Sequence, residues 1–104
     1  MPQWIAVCPA EDIDAEDVIP FHHAGVDYAV YRSADDHYFA TAGHCTHEAQ
    51  LLCDGLVMGS TIECPKHNGR FDYRTGKALR APVITDLATY PARAENGTVY
   101  IEIP

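Results

Sequence analysis

The segment GHCTHEAQLLCDGLVMGSTIECPKHNG, residues 43–69, decides how the rest of the chain is read. It holds three of the six histidines and three of the four cysteines among 104 residues. Within it stand Cys45-Thr46-His47 and Cys64-Pro65-Lys66-His67, each with its cysteine first, separated by sixteen residues. Each pair is too tightly spaced to serve distant sites. The spacer between them is long enough to fold back, so two loops can gather two thiolates and two imidazoles round one centre.

Such a donor set suits tetrahedral zinc, and it also suits a two-iron cluster with thiolates on one iron and imidazoles on the other. Structural zinc ligands usually pair like with like, as Cys-x2-4-Cys followed by His-x3-5-His, whereas both pairs here are mixed. Zinc remains the chemical alternative, and with it a structural module that binds a protein partner.

On either side of this segment the chain reads as short strands. Alternation with period two runs through residues 3–8, 26–32, 37–41, 61–63, 90–94 and 98–103. Turn residues separate them: Ser33-Ala34-Asp35-Asp36, Arg74-Thr75-Gly76, and Asn96-Gly97 as a two-residue hairpin. No amphipathic stripe exceeds one or two helical turns, which leaves at most a short helix at 12–17. The expectation is an all-β, mostly antiparallel sandwich or barrel, one domain spanning 1–104, with inserted binding loops around 43–50 and 63–70.

Composition narrows the function. Seven basic against fifteen acidic residues give a formal charge of -8, the wrong sign for nucleic acid or anionic lipid. The N-terminus shows no basic stretch followed by an apolar run, and nowhere do eighteen apolar residues follow one another, so no membrane partner and a cytoplasmic location are expected. Four cysteines could form two disulfides, but without a secretion signal, and with two of them spaced against histidines, ligation by reduced thiols is the better account.

The ligand pattern resembles the Rieske family, whose soluble ferredoxins carry Cys-x-His, a spacer of comparable length, then Cys-x2-His. The similarity continues through Glu48, through Glu63-Cys64-Pro65, and through Gly69-Arg70-Phe71-Asp72 and Thr75-Gly76-Lys77-Ala78, and so covers nearly the whole chain. It looks most like the small ferredoxins of bacterial Rieske non-haem iron oxygenases, including those that hydroxylate aromatic rings. The resemblance implies a Rieske-type β-sandwich with an inserted cluster-binding subdomain and one [2Fe-2S] cluster. Cys45 and Cys64 would lie on an inner iron, His47 and His67 on an outer iron near the tip, and Pro82 in a third loop shielding the cluster.

It also implies a monomeric carrier rather than an enzyme, moving single electrons from an NAD(P)H-dependent reductase to a terminal oxygenase of aromatic catabolism. A small subunit of a nitrite-reductase-like enzyme shares the fold, though such subunits generally lack the four ligands. High-potential Rieske proteins carry an extra cysteine in each ligand loop, where this chain has Gln50 and Lys66. They also follow the second histidine with Gly-Ser, where this chain has Asn68-Gly69. A potential at the low end of the Rieske range is implied.

Several residues have plainer readings. Cys8 is expected to be a small core residue, Cys53 a buried or partly exposed thiol, and His44 a surface or packing group beside the first ligand. His22, His23 and His37 lack carboxylates at metal spacing, the acids of 11–17 read as a solvated turn, and Trp4 and the tyrosines as core or cross-strand aromatics.

Overall fold

The computed structural model describes residues 2–47, 50–66 and 68–104. Eleven strands among them form three antiparallel sheets. The first has the order β1 (Gln3–Pro9), β11 (Thr98–Ile103), β10 (Ala92–Glu95). The second runs β2 (Asp17–His23), β3 (Val26–Arg32), β4 (Tyr38–Ala42), β9 (Thr89–Tyr90). The third is a meander of three-residue strands, β5 (Leu56–Met58), β6 (Thr61–Glu63), β7 (Arg70–Asp72) and β8 (Ala78–Arg80).

Strand β3 is the shared wall. Side chains on a strand alternate between faces, and here Tyr28 and Val30 enter one core while Ala29 and Tyr31 enter the other. The first core joins them to Ile13, Ala40, Val99, Ile101 and Ile103. The second gathers Leu52, Ile62, Phe71, Tyr73, Val83 and Leu87 around Cys45 and Cys64. Tyr31 is completely buried, stacks on Tyr73 at 4.6 Å between ring centroids, and meets Thr41 Oγ1 at 2.9 Å. A strand apolar on both faces thus fixes where the ligand-bearing segment packs.

The all-β expectation holds, and so do strands 26–32, 61–63 and 98–103. The Asn96-Gly97 hairpin is present, with both residues at positive φ and Glu95 opposite Thr98. The helix expected at 12–17 is absent: a single 3-10 turn occupies Ala10–Asp12, and Asp17 already begins β2. Strand β2 went unread because Pro20 interrupts it. On the outer edge of its sheet, a residue without an N–H is tolerated. The strand expected at 90–94 divides at Pro91, where the chain leaves the second sheet and enters the first. No helix among the described residues is long and apolar enough to cross a membrane.

Candidate metal centre

The two ligand loops are closed by their own backbones. The N–H of Cys45 donates to Gln50 O at 2.9 Å, and that of Cys64 to Gly69 O at 2.7 Å. Both cysteines are buried, at 5% and 2% exposure, within one core cluster. No disulfide joins any of the four cysteines. His47, two residues beyond Cys45, is exposed. His67, the fourth sequence candidate, lies outside the described residues, as does Glu48. Among the described residues no group of three or more His, Cys, Asp or Glu side chains is placed to hold a single metal ion.

A third segment, residues 81–88, touches both loops. Thr46 Oγ1 donates to Thr85 O at 2.6 Å, tying it to the first loop. On the second loop, a Cβ at Gly69 would stand 2.7 Å from Val83 Cγ1, so glycine is what allows Val83 to seat there. Pro82, expected in this segment, is half-buried in it. Between the loops the chain is equally tight: a Cβ on Gly55 would meet Glu63 O at 2.1 Å. Asn68, beside the second loop, takes positive φ, a conformation asparagine accepts more readily than most residues.

These loops fit a cluster with an inner and an outer end. Thiols at the floor of the packed core would supply anionic donors where water is excluded, and an imidazole at the exposed rim a neutral donor. Cys8 packs against the first core and Cys53 against the second, and burial, helped by the nearby Asp12 and Asp54, pushes their thiols up; neither has a histidine at the spacing of the two ligand pairs.

Sequence reading missed the spatial partners of the histidines. His22 Nδ1 meets Asp27 Oδ1 at 2.7 Å and His37 Nδ1 meets Asp35 Oδ2 at 3.3 Å, carboxylates supplied by the facing strand and a turn rather than by metal-like spacing. His23 stacks on Phe21. The acids Glu11, Asp12, Asp14 and Asp17 are exposed, as expected, but Glu16 accepts the Gly59 N–H at 2.7 Å and links the first turn to the β5–β6 hairpin. Trp4 carries Arg93 over its ring at 4.2 Å.

Residues 3–91 match the model of the Rieske [2Fe-2S] domain. The chain belongs to that family. It is 41% identical over 101 residues to the ferredoxin component of a naphthalene 1,2-dioxygenase system from Pseudomonas putida, covering 97% of this chain and 96% of that one. The solved Sphingomonas yanoikuyae B1 ferredoxin superposes with a TM-score of 0.90 at 33% identity, covering 98% of this chain and 100% of its own. A chain in the complex of reduced oxygenase and oxidized ferredoxin in carbazole 1,9a-dioxygenase gives a TM-score of 0.89 at 33% identity, over 94% and 91% of the two chains. A Rieske-type [2Fe-2S] cluster is therefore this domain's cofactor, and the antiparallel fold is that of the Rieske ferredoxins.

Proposed function

We propose that this chain is a monomeric, cytoplasmic ferredoxin that carries single electrons from an NAD(P)H-dependent reductase to a terminal Rieske oxygenase acting on an aromatic substrate. Residues 1–104 act as one domain. Cys45 and Cys64 hold the inner iron of the cluster, and His47 and His67 the outer iron. When bound, the cluster alternates between an oxidised and a one-electron reduced form. The chain itself transforms no organic substrate.

The observation that carries this reading is the pairing of two buried cysteines in one core with an exposed histidine two residues from the first of them. The packed floor of Leu52, Ile62, Phe71 and Val83 keeps water from the thiolates. Replacing two thiolates by neutral imidazoles leaves less negative charge at the outer end, which eases electron uptake there. His47 at the rim shortens the path to a docked partner. With Gln50 and Lys66 where a disulfide would otherwise bridge the loops, and Asn68-Gly69 in place of a Gly-Ser whose hydroxyl would donate to the cluster, the potential is expected at about -150 mV. A value above roughly +100 mV would contradict that account.

The test uses the purified holo-protein with the reductase and oxygenase components of the Pseudomonas putida naphthalene 1,2-dioxygenase system. NADH should reduce this chain through the reductase, and the reduced chain should pass its electron to the oxygenase, more slowly as salt screens their encounter. A reduced holo-protein that leaves the oxygenase oxidised at every salt concentration would overturn the assignment of that partner.

A further inference from the structure

Asp27 stands near the start of β3, directly opposite His22 on β2. On its other side β3 pairs with β4 as far as Tyr28 and Ala42, and one step further on the carbonyl of Asp27 accepts the N–H of Gly43 at 2.9 Å. The carboxylate of the same residue is divided between two imidazoles. His22 Nδ1 holds Oδ1 at 2.7 Å, and Oδ2 faces His44 Nε2 at 3.6 Å, within ion-pair distance. Backbone and side chain of one residue therefore touch both residues that precede Cys45. The row His22, Asp27, His44 crosses three adjacent chains, from the outer edge of the sheet to the first ligand loop.

The contact is close by construction. A Cβ on Gly43 would lie 2.8 Å from the carbonyl carbon of Asp27 and 2.9 Å from its oxygen, so only glycine lets the two chains meet this way. Gly43 in turn accepts the Leu52 N–H at 2.9 Å, and His44 forms an isolated bridge with Leu51. Both ends of the loop that carries Cys45 and His47 are thus tied, directly or through one residue, to Asp27.

We infer that Asp27 is a positioning residue for the cluster, its carboxylate oriented by His22 so as to hold His44 and thereby fix the approach of Cys45. The inference rests on the ferredoxin reading above. An exposed cross-strand ion pair alone would be worth little. What gives this one weight is its place at the hinge of a ligand loop, since groups that orient ligands from outside commonly change metal affinity on the order of 10–100-fold. Acting through one intervening residue, Asp27 belongs at the lower end of that range.

The experiment compares holo wild type, Asp27→Asn, Asp27→Glu, His44→Gln and the double variant Asp27→Asn/His44→Gln, following bleaching of the cluster by a chelator and its midpoint potential. Asp27→Asn should bleach on the order of tenfold faster. Its potential should move upward, because a fixed negative charge near the cluster end has gone. Asp27→Glu should restore part of both, and the double variant should bleach no faster than His44→Gln, the signature of two residues acting as one unit. Apo forms of wild type and Asp27→Asn should melt at the same temperature, separating loop positioning from loss of the fold. Wild-type bleaching and potential in Asp27→Asn, or full additivity in the double variant, would overturn the inference while leaving the ferredoxin reading intact. A wild-type protein that holds no iron would instead refute that reading.

Discussion

The two halves of this molecule are stabilised differently. Sheets β1-β11-β10 and β2-β3-β4-β9 use strands mostly of five to seven residues, and their shared core of Ile13, Val30, Val99, Ile101 and Ile103 with Tyr28 contains no candidate ligand. The β5–β8 sheet has strands of three residues, and its core includes the two thiols Cys45 and Cys64. Charge divides the same way. Residues 43–88 carry five acids and five bases, whereas the remainder carries ten acids against two bases and so the entire net charge of -8. One half is a support that hydrophobic burial can hold together. The other is an electrically balanced set of loops closed by backbone hydrogen bonds, which a bound cluster would be expected to order further.

The sharpest way to break this comparison is to remove a proposed ligand. Cys64→Ser should abolish the cluster, read as loss of iron and visible absorbance, while far-UV circular dichroism keeps its β signature. Global unfolding would show that the support depends on the metal after all. Next in size are two core truncations. Phe71→Ala should cost about 3–5 kcal/mol and Ile101→Ala about 2–5 kcal/mol in denaturant melts. Only Phe71→Ala should also hasten cluster loss in protein that is still folded, since Phe71 shares a core with the thiols.

The smallest expected effect is a pH dependence within the cluster-bearing half. Burial alone pushes the Asp72 carboxyl up, but the hydrogen bonds and charge of Arg74 outweigh it and hold the group below the ordinary carboxylate range. A depressed folded value means that the stabilisation is present above the unfolded pKa of about 3.9 and is lost as pH falls through the folded value. Asp72→Asn should therefore lower stability at pH 7 by under about 1 kcal/mol and lose less on acidification than wild type does, as urea melts at neutral and acid pH would show.

The supporting half was the more legible in sequence. Alternation over 98–103 marked a central strand, because a strand with one buried face repeats every second residue, while 26–32 was read as a strand although β3 buries Tyr28 to Tyr31 on both faces. Asn96-Gly97 marked its hairpin, because both positions require positive φ. Strand β2 was hidden by Pro20, whose edge position only the assembled sheet reveals, and of the four three-residue strands only β6 was read. For the half that holds the two Cys/His loops, spacing singled out Cys45, His47, Cys64 and His67 as candidate ligands. What spacing could not give were the ties between distant residues, Thr46 to Thr85 and Asp27 to His44, since these arise only when separate loops pack against one another.

The central claim is most directly tested by iron and acid-labile sulfide analysis of anaerobically purified protein, combined with nitrogen hyperfine spectroscopy of its reduced paramagnetic signal. Iron and sulfide are expected in the proportions of one [2Fe-2S] cluster per chain, with coupling to histidine nitrogens. Protein without iron and sulfide, a single bound zinc, or a reduced signal showing no nitrogen coupling would contradict it.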